Sequence, residues 1–477
     1  MTEDTTLLVG PFNRVEGDLE IRLDVADGAV GAAYVNSPLF RGFERMLLGK
    51  GAMDALTITP RICGICSISQ SMAAALALAD AGRVTPAPNG ARVAALLHAV
   101  ENVADHVTHF NLFFMPDFAR PVYADRPWHS AAVDRFTAQR GSALRASIEA
   151  RAKLLHIVGL LGGKWPHTLA IQPGGVTRAP TMRDKIRIGA DLRAFRRYLE
   201  DQVFGAPVEA VADLTTLDQL EAWDTGDLGL FVTIARDCGL EAMGKGEGRY
   251  MSFGAYPHPE GPIFASGVWD GGAVRPVDAG GIVEELGHSW MLGSAAHPSQ
   301  GDTLPDEAMR DAAYSWCKAP RLNGQTVETG ALARQIVDGH PLALALAAEG
   351  GVRARVMGRL LELAQTQIAL EALLARIDPA ERFMVEAAAP RDGQGAGMVE
   401  AARGALGHWC TIEGGKITGY QIIAPTTWNF SPRDDRGVAG PVEAALVGAP
   451  VRPGEDTPIA VQHIVRSFDP CMVCTVH

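Results

Sequence analysis

The chain has 477 residues and a formal net charge of −12. An acidic balance with no basic run or aromatic-basic interleave argues against nucleic acid as a partner, and no apolar run of about 20 residues could cross a bilayer. Seven cysteines are too few for a disulfide framework in a chain this long.

The length would accommodate about three domains of roughly 150 residues. The Gly/Pro-rich segments at 257–261 and 298–305 read as surface loops rather than linkers, so 1–477 is taken as a single domain. The fold class is α+β, predominantly α-helical, with a core of long helices and β-hairpins near both ends. The start, Met1-Thr2-Glu3-Asp4-Thr5-Thr6, lacks the charged head and apolar run of a signal peptide, which points to the cytoplasm.

Residues 7–36 read as strands. Leu19, Ile21, Leu23 and Val25 alternate with mostly charged residues, and Ala26-Asp27-Gly28 supplies a turn. Just ahead, Asn13-Arg14-Val15-Glu16-Gly17 sets a glutamate beside a glycine, ordinarily a solvated turn. A short helix over 43–50 carries Glu44. Arg61-Ile62-Cys63-Gly64-Ile65-Cys66 holds a first cysteine pair, and an Ala-rich helix over 67–82 follows at once. Its N–H groups and positive dipole end would face the thiols and favour thiolate.

A long amphipathic helix is expected over 89–115, with Asn89 as N-cap, Pro116 as stop and Asp117 just beyond. Further helices are expected over 142–161, 181–204 and 350–377, and 206–330 is mixed. A hairpin over 408–424 turns at Gly414-Gly415, and Pro425-Thr426-Thr427-Trp428-Asn429 reads as a loop. Short helices over 440–447 and 457–467 lead into the tail Asp469-Pro470-Cys471-Met472-Val473-Cys474-Thr475-Val476-His477. A chain end should fray. One carrying Cys-x-x-Cys and a final histidine is more plausibly fixed by metal.

Two Cys-x-x-Cys pairs from opposite ends of the chain point to one four-thiolate site. A closed zinc site is the plain reading of the spacing. Against it, both pairs sit in helical and apolar stretches rather than Gly-rich knuckles, and a chain this large needs no metal to fold. Soft thiolates suit nickel and iron equally. Cys238, Cys317 and Cys410 are solitary and read as small buried apolar residues.

The two cysteine motifs together resemble the paired signatures of nickel–iron hydrogenase large subunits. The likeness runs along essentially the whole chain. It includes Asn13-Arg14-Val15-Glu16-Gly17, Phe40-Arg41-Gly42-Phe43-Glu44, Glu400-Ala401-Ala402-Arg403-Gly404-Ala405-Leu406-Gly407-His408-Trp409 and Ala424-Pro425-Thr426-Thr427-Trp428-Asn429. The resemblance implies a nickel and an iron bridged by two thiolates, carbon monoxide and cyanide on the iron, and reversible splitting of dihydrogen into two protons and two electrons. Cys63 and Cys471 would be terminal nickel ligands, with Cys66 and Cys474 bridging.

A terminal thiolate is more basic than one shared by two metals, so Cys471 is the candidate for the first proton. Glu16 matches the family's proton gate. Arg403, Asp117 and Asp469 match a charged canopy, although such a set is ordinarily a structural salt bridge. Ala402 stands where the family usually has proline, while Pro425 and Thr426 match a loop that hydrogen-bonds cyanide. Glu44, His477 and the carbonyl of Ile422 match ligands of a buried magnesium.

Several positions resemble the hydrogen-sensing regulatory group. Ile65 and Phe113 match gas-route positions that are usually Val and Leu, and larger side chains there would slow oxygen entry. On apolar faces alone they would read as core. Gln70 and Asp18 stand where many members have histidine. Most members carry an extension after the last histidine that maturation removes, whereas this sequence ends at His477, either as a processed chain or as the sensor group does. The expectation is a dihydrogen sensor with low turnover. The alternatives are a respiratory uptake enzyme and, from another class, a structural thiolate-zinc scaffold related to quinone-reductase subunits. No further cysteine cluster remains to hold iron–sulfur centres, so these belong to a partner small subunit. The sensor reading adds a histidine kinase and a higher oligomer of heterodimers.

Overall fold

The computed structural model describes residues 5–477. The expectation of no leader rests partly on residues 1–4, which lie outside the described residues. Helices dominate, and the strands form small antiparallel sheets rather than one large one.

The first sheet joins Thr5–Val9, Glu20–Ala26 and Ala29–Asn36 as an antiparallel meander. Ile21, Leu23 and Val25 point inward and are buried, as the alternation predicts. Asp27 and Gly28 both take positive φ, the backbone that a tight hairpin of matching twist needs. The last sheet joins Gly393–Ala401, Gly404–Glu413 and Lys416–Ile423. It contains the expected hairpin, turning at Gly414 and Gly415, and one further strand before it.

That extra strand positions the first cysteine pair. Helix Ser67–Ala81 lies directly on Gly393–Ala401. A Cβ on Gly395 or Gly397 would collide with the carbonyls of Ala77 or Ala73. Small residues on both partners therefore let backbone meet backbone. Alternation was unreadable there because glycines occupy the packed face.

Helices Pro88–Thr108, Ser142–Gly162 and Val352–Arg376 pack together as the core, and the first of them is buried on almost every side. Asn89 is not its cap. Ala87 holds that place and Pro88 opens the first turn, where a missing N–H has no partner to lose. The Asn89 amide instead donates to Asp378 O at 2.8 Å and accepts from Asp378 N at 3.2 Å. Nor does Pro116 stop one uniform helix. The chain widens into a π-helical segment, His109–Phe114, then tightens to 3₁₀ over Met115–Ala119. Helix Met182–Tyr198 begins at the capping box of Thr181 and Asp184 and also ends in a π-helical segment. The segment Pro425–Asn429, expected as a loop, is a short helix with Pro at its start.

Candidate metal centre

The four cysteines of the two motifs converge. Cys63 follows a 3₁₀ turn, Cys66 precedes Ser67–Ala81, and Cys471 and Cys474 flank and enter the last helix, Met472–Thr475. All four Sγ atoms lie within 4.8 Å of one another and all are buried. Cys66 and Cys474 are 3.2 Å apart, Cys471 and Cys474 3.2 Å, and Cys63 and Cys471 3.5 Å. Contact with Cys471 lowers the Cys63 pKa and raises those of Cys66 and Cys474, and burial adds to the rise. Four ionised thiolates in so small a volume are compatible only with bound cations. The donor set is soft and suits nickel, iron or zinc.

The tail is held by protein as well as by any metal. Met472 N donates to Glu16 O at 2.7 Å, and Glu16 N to Pro470 O at 3.4 Å, so Glu16 and Cys471 form an isolated parallel bridge. Cys471 N donates to Thr426 Oγ1 at 3.1 Å, and Thr427 Oγ1 to Thr475 O at 3.0 Å. Arg359 donates to the carbonyls of Ser467 and Phe468, and Arg41 to those of Ile62 and Val473. These bonds hold the end in addition to the metal the sequence leads one to expect there.

Glu16 is half-buried beside Cys471. Burial raises its pKa first and the charge of Cys63 second, against Arg403 and Arg41. Arg403 stands at the two-residue turn between Ala401 and Gly404. Its Nε donates to Asp469 O at 2.9 Å and its Nη2 to Asp469 Oδ1 at 3.2 Å, while Nη1 lies 3.0 Å from Asp105 Oδ2. Asp469 is a non-glycine residue in left-handed conformation, which turns its carbonyl toward that guanidinium. Burial drives the Asp105 carboxyl up to about 7 despite Arg403. Burial also acts on Asp469, but Arg403, with His109 and Arg359, holds it low.

Asp117, expected in this canopy, is elsewhere. It pairs with Arg466 at 2.7 Å, with Arg14, and with His463 at 3.3 Å. The residue that meets Arg403 is Asp105, twelve positions earlier on the Pro88–Thr108 helix. Sequence reasoning missed it, although a charge on a helix otherwise read as apolar was a usable signal.

Glu101, also unread, lies one turn before it. It is fully buried and accepts from Ser67 Oγ, Ile68 N, Ser69 N, Ser69 Oγ and Trp165 Nε1, which pins the N-terminus of the helix behind Cys66. Burial lifts its carboxyl to about 7, against those donors.

Thr426 touches the centre through Cys471 N, beside buried Pro425. The Ala402 carbonyl accepts from Arg334 at 3.0 Å. Ile65 N donates to Cys63 Sγ at 3.3 Å and its side chain packs on the core. Phe113 is only half-buried; its neighbour Phe114 is the buried one. Gln70 Oε1 lies 2.8 Å from His408 Nε2. Cys317 and Cys410 are buried and Cys238 is half-buried.

Glu44, Ile422 and His477 meet in a second cluster. Glu44 Oε1 accepts from Ile422 N at 2.7 Å and lies 3.2 Å from His477 Nε2. Burial would raise Glu44, but Lys318 and His477 bring it down to about 2. Lys318, unread from sequence, also reaches Glu284 at 3.3 Å, Thr303 and Gln421.

Four buried thiols converging beside an arginine–aspartate pair form the donor set of a metalloprotein. The family profile described as nickel-dependent hydrogenase matches residues 41–134 and 144–477. The chain is 32% identical to the periplasmic [NiFeSe] hydrogenase large subunit of Desulfomicrobium baculatum, covering 98% of this chain and 94% of that protein. It is 27% identical to the Hydrogenase-2 large chain of Escherichia coli K12, over 99% and 97%. Uptake hydrogenase large subunits are also among its relatives. A solved [NiFeSe] hydrogenase structure from Dm. baculatum superposes with a TM-score of 0.87 at 28% identity, covering all of both chains. The chain belongs to the nickel-dependent hydrogenase family. It is a hydrogenase large subunit, and the family implies a nickel–iron centre rather than a zinc scaffold.

Proposed function

We propose that this large subunit splits dihydrogen heterolytically and reports its availability to a transcriptional control system, with low turnover. Cys63, Cys66, Cys471 and Cys474 would hold a nickel–iron centre with carbon monoxide and cyanide on the iron, which would supply the electron-pair acceptor. Cys471 takes the first proton. Glu16, fixed alongside it by the backbone pairing, carries that proton outward, and its raised pKa suits a group that must both take and release it. Arg403 with Asp105 and Asp469 covers the open side, and Ala402 shapes the turn that presents the arginine. Pro425 and Thr426 seat the diatomic ligands. Glu44, His477 and Ile422 would hold magnesium, whose hard charge suits the carboxylate and the further acidic group Glu284.

The observation that carries this chemistry is the convergence of four thiolates within 4.8 Å beside Glu16 and Arg403. The sensor subtype rests on Ile65 between the paired cysteines, on Phe113, and on Gln70, whose carbonyl faces His408. With it go oxygen tolerance, an iron–sulfur small subunit, a histidine kinase, a higher oligomer of heterodimers and a cytoplasmic site. One hydrophobic cluster containing residues from Val9 to Cys474 supports a single domain over 1–477. The second reading is an uptake enzyme, favoured by the names its relatives carry.

Infrared spectra of protein from its host, under argon and then dihydrogen, test the centre. Carbon monoxide and cyanide bands that shift with dihydrogen support it. A folded, zinc-loaded chain without bands sinks it. Slow dye reduction that survives air supports the sensor, whereas rapid, air-sensitive turnover supports uptake.

A further inference from the structure

Asp117 is wholly buried among more positive charge than it can balance. Arg466 lies at 2.7 Å and Arg120 at 3.8 Å, and Arg14 is in direct contact. Three guanidinium groups against one carboxylate leave two positive charges over. Burial lowers the Arg466 pKa, and Arg14 and Arg120 push it further down. The remaining neighbours are not anions. Arg466 donates to Asn13 O and Oδ1, Arg120 to Gln462 Oε1, and Arg14 to Phe113 O.

This excess is open to the outside. Arg14, Arg120 and Arg466 line a cavity of about 410 Å³ together with Asn13, Gln462 and Thr457. The side chain of Arg466 is 2% exposed, that of Arg14 21% and that of Arg120 36%, so charge is graded from floor to rim. Such a pocket is complementary to an anion, and planar guanidinium forks favour a carboxylate.

Its position says which anion. Asn13 and Arg14 lead into Glu16, whose backbone pairs with Cys471. Arg466 lies on helix Ile459–Phe468, which runs into Asp469 and the same cysteine. Electrons leaving the centre must cross to a chain that carries redox clusters, and that chain has to seat close by. We propose that the pocket framed by Arg14, Arg120 and Arg466 receives a carboxylate side chain of the partner small subunit. This rests on the hydrogenase reading. Docking there would press on both segments that carry Glu16 and Cys471, so subunit seating and the proton route share a wall.

The test uses tagged large chain co-produced with its small subunit in the native host. Association is measured at about 50 mM and about 500 mM salt, a range over which exposed charge is progressively screened. Arg120→Glu should weaken association by ~10–100-fold and flatten its salt dependence. Arg120→Gln should weaken it less, and Arg120→Lys, which keeps the charge but loses the planar fork, should fall between Arg120→Gln and the unchanged chain. Arg275→Glu, the same charge change at an exposed arginine that does not line this pocket, should have no effect.

Unchanged association of Arg120→Glu overturns the proposal. So does stabilisation of the isolated large chain by inorganic phosphate that depends on Arg120, if association is indifferent to that residue; the pocket would then serve a free anion. Failure of the hydrogenase reading looks different: the unchanged chain would lack the diatomic infrared bands.

Discussion

Two arginine–aspartate clusters flank the tail, and they differ in charge balance and in access to water. Over the thiolates, Arg403 is shared by Asp105 and Asp469 and closed off from water. Some distance along the chain, Asp117 is shared by Arg14, Arg120 and Arg466 and faces a cavity. The first sets Arg403, with Arg359 nearby, against two carboxylates, of which burial lifts Asp105 to about 7, so it is close to balanced above the thiolates. The second keeps positive charge, so an anion completes it. Burial raises the cost of an imbalance, and the missing counter-charge indicates what the second cluster faces.

The contrast breaks most completely if the thiolates are altered. Cys474→Ser should lower nickel content and cut dihydrogen-dependent activity by more than ~100-fold, beyond what loss of an outer partner costs. Metal analysis alongside dye reduction checks this, and retained nickel with full activity would contradict the assigned ligand set.

Next in size is Asp117→Asn. It strands buried Arg466 among like charges and should destabilise the chain by about 3–5 kcal/mol, read from the denaturation midpoint. The infrared bands of the protein that remains folded should not move. Bands that shift would return Asp117 to the metal canopy.

The pH dependence should differ in sign between two buried acids. Glu101 is lifted from an ordinary 4.5 to about 7. The unfolded chain ionises first, so stability present below pH ~4.5 erodes as pH rises toward ~7, by about 3 kcal/mol in all. Asp117 is held below its ordinary 3.8 by His463 and Arg466, despite burial. Its contribution is complete above that value and is lost as pH falls below it. Midpoints measured across this range, with Glu101→Gln flattening the upper slope, would show whether the signs are as assigned.

Smallest is Asp105→Asn, which loosens Arg403 without emptying the centre. Activity should fall by ~10–100-fold at unchanged nickel content, with a midpoint shift smaller than that of Asp117→Asn. Equal effects of the two substitutions on activity would erase the distinction between the clusters.

Much of this was legible in the residues. Alternation placed the Glu20–Ala26 strand, turn glycines placed both hairpin reversals, and apolar periodicity placed the core helices. Two cysteine pairs of matching spacing announced a four-thiolate centre, and motif resemblance named the family. These signals are local or covalently spaced, so the sequence by itself determined them.

Tertiary structure decided what depends on direction in space. Which aspartate reaches Arg403 turned on the helical phase of Pro88–Thr108 and its π-helical exit, and spacing from the arginine could not report that. Gly393–Ala401 was hidden because its packed face carries glycine for a helix to lie on, not apolar side chains. Glu101 and Lys318 acquired their roles from donors and acceptors distant in sequence. Charge balance is a property of a volume, and only the fold brings Arg14, Arg120 and Arg466 into one.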